Sequence, residues 1–467
     1  MDIVREYLEN AADLARLSCV DRQRRHDAIV GAAEVTVLKR NHVDGAIRLA
    51  GARLRKLTLN MVVWALEDCT PALAGIDALA LGSVRVDVIE DPKRFDHNRF
   101  DLVEWTDRMF AKPAVREVRP SHFKVWGAES IALLRNPKLV ITTTLAIFDL
   151  DVGGEDITAD VIRHADVSTL HFLNCSNVPP AMLAGTRARR IEWESMLPAS
   201  LTPEQATAIG GNHGVRELRF VFDNENEQET LVLARLLRHP HDYSDGIHVS
   251  FEYSSDTVYE ANPAVGRALA DAFASPTLCV GSYLEIDTMY AISSAAVPDD
   301  ELLAAIAACA SRNEALRRLH VQIDGVPLPG DGVRALLRLP EHITDVSVGA
   351  YEEHRMAYAH GADVLRDNLW LWDALNGIDL PGVTKLSLSI NHGLSERSEP
   401  AVFKAAGIAL ARGVPRLLDL DVRFTHENDE ENDGWIEPFC EGLLEGGLPT
   451  QGTFVNRGDN VVTWGSR

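Results

Sequence analysis

No C-x-x-C pair occurs in this chain of 467 residues, whose six cysteines (Cys19, Cys69, Cys175, Cys279, Cys309 and Cys440) are scattered. That excludes a zinc site of the usual ligand spacing and a disulfide framework, and it fits free thiols in a reducing compartment. No stretch approaches the roughly 18 to 20 apolar residues of a membrane span. The opening Met1-Asp2-Ile3-Val4-Arg5-Glu6 contains no apolar signal-peptide core, so a cytoplasmic setting is expected, with a nuclear one also open. Basic charge is scarce as well: 46 Lys and Arg stand against 69 Asp and Glu, for a net charge of −23. A nucleic-acid surface needs clustered cations. The local clusters Arg22-Gln23-Arg24-Arg25, Arg53-Leu54-Arg55-Lys56 and Arg187-Ala188-Arg189-Arg190 have no stacking aromatics interleaved and read as solvated faces. Neither a nucleic acid nor a membrane is therefore expected as a partner.

Catalytic spelling is also missing. The chain has no G-x-x-x-x-G-K-[ST], H-E-x-x-H or G-x-S-x-G, and no G-x-G-x-x-G in a strand-to-helix setting, so no enzyme activity, catalytic residue, cofactor or metal site is expected. His239-Pro240-His241 reads as an exposed loop after a helix, and His248 as an outward strand position. Asp149, Asp151, Glu155 and Asp156 around Gly153-Gly154 read as an acidic turn. The run from Glu427 to Asp433 lacks the Gly and terminal Glu of a calcium loop and reads as exposed. Trp370 and Trp372 fall on an expected helix whose core side holds Leu365, Leu369 and Leu375. No long Ser/Gly linker divides the chain, and its 46% hydrophobic and 25% charged content is that of a packed protein.

What is present is a returning phrase. Val167-Ser168-Thr169-Leu170-His171-Phe172-Leu173-Asn174-Cys175 and Val383-Thr384-Lys385-Leu386-Ser387-Leu388-Ser389-Ile390-Asn391 both fit L-x-x-L-x-L-x-x-N/C. They resemble the core of a leucine-rich repeat. Alternate strand side chains face opposite ways, so Leu170 and Phe172 are expected inside, with Thr169, His171 and Leu173 outside. In that family the last position, here Cys175 or Asn391, fills a small buried site at the turn that leaves the strand.

Weaker copies begin at Leu54, Ile76, Val215, Leu316, Ile343 and Leu417. Poorer ones begin at Ala188 and Gly246, and further strands are expected near Val118, Val140 and Leu284. Helices are expected between them. Thr202-Pro203-Glu204-Gln205 is a capping box with Pro at the first helical position. Asp300-Glu301 opens a helix with Leu302, Leu303, Ile306 and Ala310 on one face. Similar stretches run over 227–237, 264–273, 362–375 and 401–411. A doubly wound sheet has the same alternation of elements, but its buried strands would not tolerate Lys56, Glu217, Arg219, His320, Lys385 and Asp419 between the apolar letters. The expected fold is an α/β leucine-rich-repeat solenoid, a horseshoe of irregular strand-turn-helix repeats with a small N-terminal helical cap.

The N-terminus carries a second resemblance. Tyr7-Leu8, then Asp13-Leu14, then Leu17-Ser18-Cys19-Val20-Asp21-Arg22 through Arg25 resembles the second and third helices of an F-box. The family's Leu-Pro opening is not spelled here, and His26-Asp27 stand where it has a Trp. The resemblance implies that Leu8, Leu14, Leu17, Val20 and Arg24 dock a Skp-type adaptor of a cullin-RING ubiquitin ligase. As an alternative, Leu8, Leu14, Leu17, Val20 and Ile29 form an amphipathic cap over the first repeat. The expected organisation is 1–40 as the F-box-like segment or cap, 41–450 as the solenoid, and 451–467 as a cap strand or tail.

The function expected is protein recognition on the concave strand face, as a ligase substrate receptor or as a scaffold with no ligase link. The contact residues are then the outward letters: Lys56, Thr58, Thr169, His171, Arg190, Glu192, Glu217, Arg219, His248, Ser250, Arg318, His320, Lys385, Ser387, Asp419 and Asp421. Their mixed charge suits a protein partner.

Overall fold

The inward letters of the phrase are the core. Leu170 and Phe172, Leu218 and Phe220, and Leu386 and Leu388 are all buried in the computed structural model, which describes residues 32–37, 42–60, 74–89, 102–164, 167–195, 201–223, 227–252, 263–288, 296–324, 331–351, 375–391, 400–425, 436–448, 453–456 and 461–465. The chain divides into two compact units, 1–189 and 190–467. The F-box-like segment, the acidic run after Glu427, and Trp370 with Trp372 lie outside the described residues.

In the first unit the elements are β1 (Glu34–Val37), α1 (Val43–Ala50), β2 (Lys56–Asn60), β3 (Val84–Ile89), α2 (Leu102–Phe110), β4 (Val115–Pro120), β5 (His122–Val125), α3 (Ala128–Leu134), β6 (Thr144–Phe148), α4 (Val152–Glu155), α5 (Thr158–Arg163), β7 (Thr169–Leu173) and α6 (Pro180–Gly185). Strands β1 to β4 pair in parallel in chain order over a core that includes Ile47, Leu57, Leu59, Val86 and Trp105. Strands β5, β6 and β7 follow in the same order. Ser121 joins the two sets, donating to Val88 O at 2.8 Å and accepting from Thr144 N at 2.9 Å. It also changes the phase: Val118 and Pro120 are buried before it, Phe123 and Val125 after it, as one extra residue in a strand requires.

The second unit holds β8 (Arg190–Ser195), α7 (Pro203–Gly210), β9 (Glu217–Asp223), α8 (Glu227–Leu237), β10 (His241–Tyr243), β11 (Gly246–Glu252), α9 (Pro263–Ala274), β12 (Leu278–Val280), β13 (Tyr283–Thr288), α10 (Ala296–Arg312), β14 (Arg318–Asp324), α11 (Asp331–Leu336), β15 (Asp345–Tyr351), β16 (Lys385–Asn391), α12 (Pro400–Gly413), β17 (Asp419–Thr425), α13 (Ile436–Gly446), β18 (Thr453–Asn456) and β19 (Val461–Gly465). Its sheet runs β8-β9-β11-β13-β14-β15-β16-β17 in parallel, with β19 and then β18 added antiparallel at one edge and β10-β12 forming a separate pair. A strand order that never reverses, combined with right-handed crossovers, gathers the helices on one side of the sheet. Accordingly α7 packs on α8, α8 on α9, α9 on α10, α10 on α11, and α12 on α13. A doubly wound sheet would instead reverse its order at a switch point. Each unit is thus an α/β stack of solenoid type.

The capping box is as spelled: Gln205 N donates to Thr202 Oγ1 at 3.3 Å, and Thr202 N donates to Gln205 Oε1 at 2.6 Å. Leu302, Leu303, Ile306 and Ala310 are buried on α10, which starts at Ala296 because Pro298 in its first turn has no N–H to satisfy. Three expectations fail. The phrase at Ile76 is a short 3-10 helix, Ala74–Ala78, and Leu81 is 82% exposed. The strand lies further on, where Val84, Val86 and Val88 supply β-branched alternation that Ala78-Leu79-Ala80-Leu81 does not. Near Val140 only a bridge between Val118 and Leu139 forms, and β6 begins at Thr144. His241 is not in an exposed loop: it is buried on β10, with Nε2 donating to Val215 O at 2.6 Å.

Candidate recognition face

Opposite the helices of the second unit, the outward residues form rows, because the pairing from β8 to β17 runs without a register shift. The first row reads Arg190, Glu217, Gly246, Tyr283, Arg318, Asp345, Lys385 and Asp419 across successive strands. Opposite charges therefore meet as neighbours. Arg190 Nη2 is 2.6 Å from Glu217 Oε1, Arg318 Nε is 3.5 Å from Asp345 Oδ2, and Lys385 Nζ is 3.9 Å from the same Asp345 oxygen. Gly246 is the break in the row. A Cβ there would lie 2.5 Å from the Tyr283 ring, so its absence lets the ring cross β11 and its hydroxyl donate to Glu217 Oε1. Burial, together with the Glu217 carboxylate, pushes the Tyr283 phenol well above its ordinary value.

The next outward row, two residues on, reads Glu192, Arg219, His248, Glu285, His320, Ser347, Ser387 and Asp421. His248 Nδ1 donates to Glu285 Oε2 at 2.8 Å, since a carboxylate only accepts. Arg318 Nη1 approaches the other Glu285 oxygen at 3.9 Å. The His248 hydrogen bond holds the Glu285 acid below the usual carboxylate range, outweighing its burial. One row further, Ser250 pairs in register with Asp287, whose acid is pushed up by burial and whose Oδ1 has no hydrogen-bond partner.

The candidates in the second unit thus fall on shared rows, and Arg219, Arg318, Lys385 and Asp419 are exposed. Lys56, Thr58, Thr169 and His171 belong to the first unit. Lys56 Nζ lies 3.7 Å from both Glu34 and Asp87, and His171 packs edge-on against Phe148 with ring centroids 5.7 Å apart. Thr58, Thr169, Glu217 and Ser250 are buried, which removes them as accessible contacts. Glu217 lies beneath Arg190 and Tyr283; the other three are short side chains between neighbouring strands. Leu8, Leu14, Leu17, Val20 and Arg24 lie outside the described residues. Tyr283, Glu285, Asp287 and Asp345 complete the rows and are not among the predicted contacts; the pairing register is the signal that finds them.

Cys175 ends β7 as its place in the phrase implies, with its thiol donating to Ile147 O at 3.1 Å and its acid pushed up by burial to about 11. Such a thiol is inert. Asp151 caps α4, accepting from Gly154 N at 3.1 Å, so the acidic turn is structural. Among the described residues no group of three or more His, Cys, Asp and Glu is placed to hold a metal ion, and no helix is long and apolar enough to cross a membrane.

No family model matches this chain, and no curated protein matches it. Among solved structures it is similar to the leucine-rich repeat-containing protein LegL7 from Legionella pneumophila, at 10% identity over 87% of this chain and 97% of that chain, with a TM-score of 0.25. A likeness of that size leaves the repeat to be read from this chain's own strand register.

Proposed function

We propose that this chain is a leucine-rich-repeat recognition protein that binds a protein partner through the open sheet face of residues 190–467, curved as the concave side of a horseshoe. The observation that carries the reading is the ladder of alternating charge held in register from Arg190 to Asp419. A mixed-sign face offers hydrogen bonds and short ion pairs to an equally mixed surface and selects against a uniformly charged polymer. Among the described residues the face offers a charged and hydrogen-bonding surface, which suits the recognition of a partner.

The test places a photo-crosslinking residue at Arg219 and, separately, at Arg334 on α11. A protein captured from position 219 and not from 334 supports the reading, as does loss of that capture in Arg219→Glu with His320→Glu at an unchanged melting temperature. Equal capture from both positions overturns it. The adaptor role rests on the N-terminal spelling alone and has its own test. A Skp-type adaptor should retain the full chain and release Leu14→Asp with Leu17→Asp; retention of neither leaves a scaffold with no ligase link.

A further inference from the structure

The carboxylates of the open face do not share one environment. Glu217 meets Arg190, Glu285 meets His248 and Arg318, and Asp345 meets Arg318 and Lys385. Asp287 has no such neighbour. Register places Ser250 beside it on β11 and Gln322 beside it on β14, with His248 and His320 on the diagonals, and none of the four is Lys or Arg. Among the described residues neither oxygen of Asp287 takes a hydrogen bond or an ion pair. The two histidines act on it electrostatically, without a hydrogen bond.

Its two oxygens also differ in access. Oδ1 is covered, whereas the residue as a whole is only half-buried and Oδ2 is left on the open side. Covering a carboxylate oxygen without supplying a donor costs free energy, and the acid is pushed up accordingly, with burial the leading cause. A fold that keeps such a group is weakened by it until a cation arrives from outside. On a face that bound nothing, asparagine would serve stability better.

We propose that Asp287 is the anchor for a lysine side chain of the protein partner, which meets its Oδ2 on the open side of β13. The inference rests on the recognition reading above and names the chemistry of one central contact. Lysine is selected by the access to the carboxylate. The guanidinium of Arg binds best when it takes both oxygens at once, and Oδ1 is not offered; an ammonium is a point charge that one oxygen can hold. A metal ion fits less well, since among the described residues no group of three or more His, Cys, Asp and Glu is placed to hold one. A chain of net charge −23 draws cationic surfaces at long range, and the unpaired oxygen fixes where one of their charges docks.

Random peptides about twelve residues long, displayed on phage and panned on the full chain, provide the probe. Enriched peptides should share a Lys, and replacing that Lys by Gln should weaken binding about tenfold in fluorescence polarisation. Asp287→Asn should weaken binding of the unaltered peptide by a similar factor, while its melting temperature stays at or above that of the wild type. Against Asp287→Asn the Gln peptide should bind no more weakly than the Lys peptide, because the two changes break one contact. That cycle separates a docked lysine from general attraction to an acidic chain, which the loss of one of 69 acids barely alters. The inference is overturned if no peptide is enriched, if the enriched peptides share no Lys, if Arg in its place binds as tightly, or if the two changes weaken binding independently. Peptides released by Arg219→Glu with His320→Glu but not by Asp287→Asn overturn it as well, and leave the ladder reading intact.

Discussion

Asp287 and Glu285 are two carboxylates on one strand whose environments push them in opposite directions. Burial raises the Asp287 acid above its ordinary 3.8, so the folded chain holds that proton more tightly than the unfolded one. The resulting penalty is absent below the unfolded value, grows as pH rises through the folded value, and is complete at neutral pH. Glu285 has the opposite sign: held below 4.5, first by the His248 hydrogen bond, it contributes stability above 4.5 that is lost as pH falls through its folded value. Asp287→Asn should therefore raise the melting temperature at pH 7 and Glu285→Gln should lower it, with both differences shrinking on acidification, the first gone below the unfolded aspartate value and the second lost as pH falls through the folded value of Glu285. Melting curves of the pair across that range check it; a lower midpoint for Asp287→Asn at pH 7 would mean that His248 and His320 outweigh burial.

At the scale of elements, α12 and α13 approach through glycine. A Cβ at Gly407 would lie 2.3 Å from Phe439 O, and one at Gly442 would lie 2.1 Å from Lys404 O. Because both obstacles are backbone, only a shift of one whole helix accommodates them. Gly407→Ala should cost about 1 to 3 kcal/mol. Gly45→Ala on α1, with nothing within 4 Å of the new methyl, should instead gain up to about 1 kcal/mol from helix propensity. Urea midpoints that moved in the same direction for both would reject the packing argument. Of the helices, α7 to α10 and α12 were legible in sequence, down to the ends of α8 and the Thr202 cap, because period and capping are local signals, whereas the short helices of the first unit, α11 and α13 were not marked. Apart from the phrase at Ile76, the strands were legible where all three inward letters survive. They were not at β11 and β13, where Ser244 and Gly281 occupy the first inward place, aligned by the pairing of Ile247 with Leu218 and with Leu284. Gly281 has no room for a Cβ, which would lie 1.8 Å from Ser244 O, and the added pair β10-β12 immediately precedes both positions. Two repeats thus lost a letter to close backbone packing. As a result Gly246 was read as a repeat start, and Glu285 and Asp287 went unmarked. The rows of the open face were half legible for the same reason: alternation says which side a residue takes, whereas register alone says which neighbour it meets.

For the molecule as a whole, two electrostatic effects compete. With 69 acidic against 46 basic side chains, long-range repulsion acts against the compact state, and it weakens as salt shortens the Debye length. The ladder on the second unit acts the other way, but its pairs are short and local: 2.6 Å at Arg190 and Glu217, 2.8 Å at His248 and Glu285. Contacts well inside a screening length of roughly 10 Å lose less to added salt than repulsion summed over the whole surface does. The melting temperature should accordingly rise between about 20 and 300 mM sodium chloride, a range over which the screening length falls from roughly 20 to 6 Å. Arg190→Gln, which leaves Glu217 without its guanidinium, should lower the curve at every salt concentration without reversing its slope, since a half-buried pair broken on one side costs about 1 to 3 kcal/mol whatever the ionic strength. A melting temperature that fell with salt in the wild type and was flat in Arg190→Gln would show that the ladder, and not the net charge, sets the salt response of this fold.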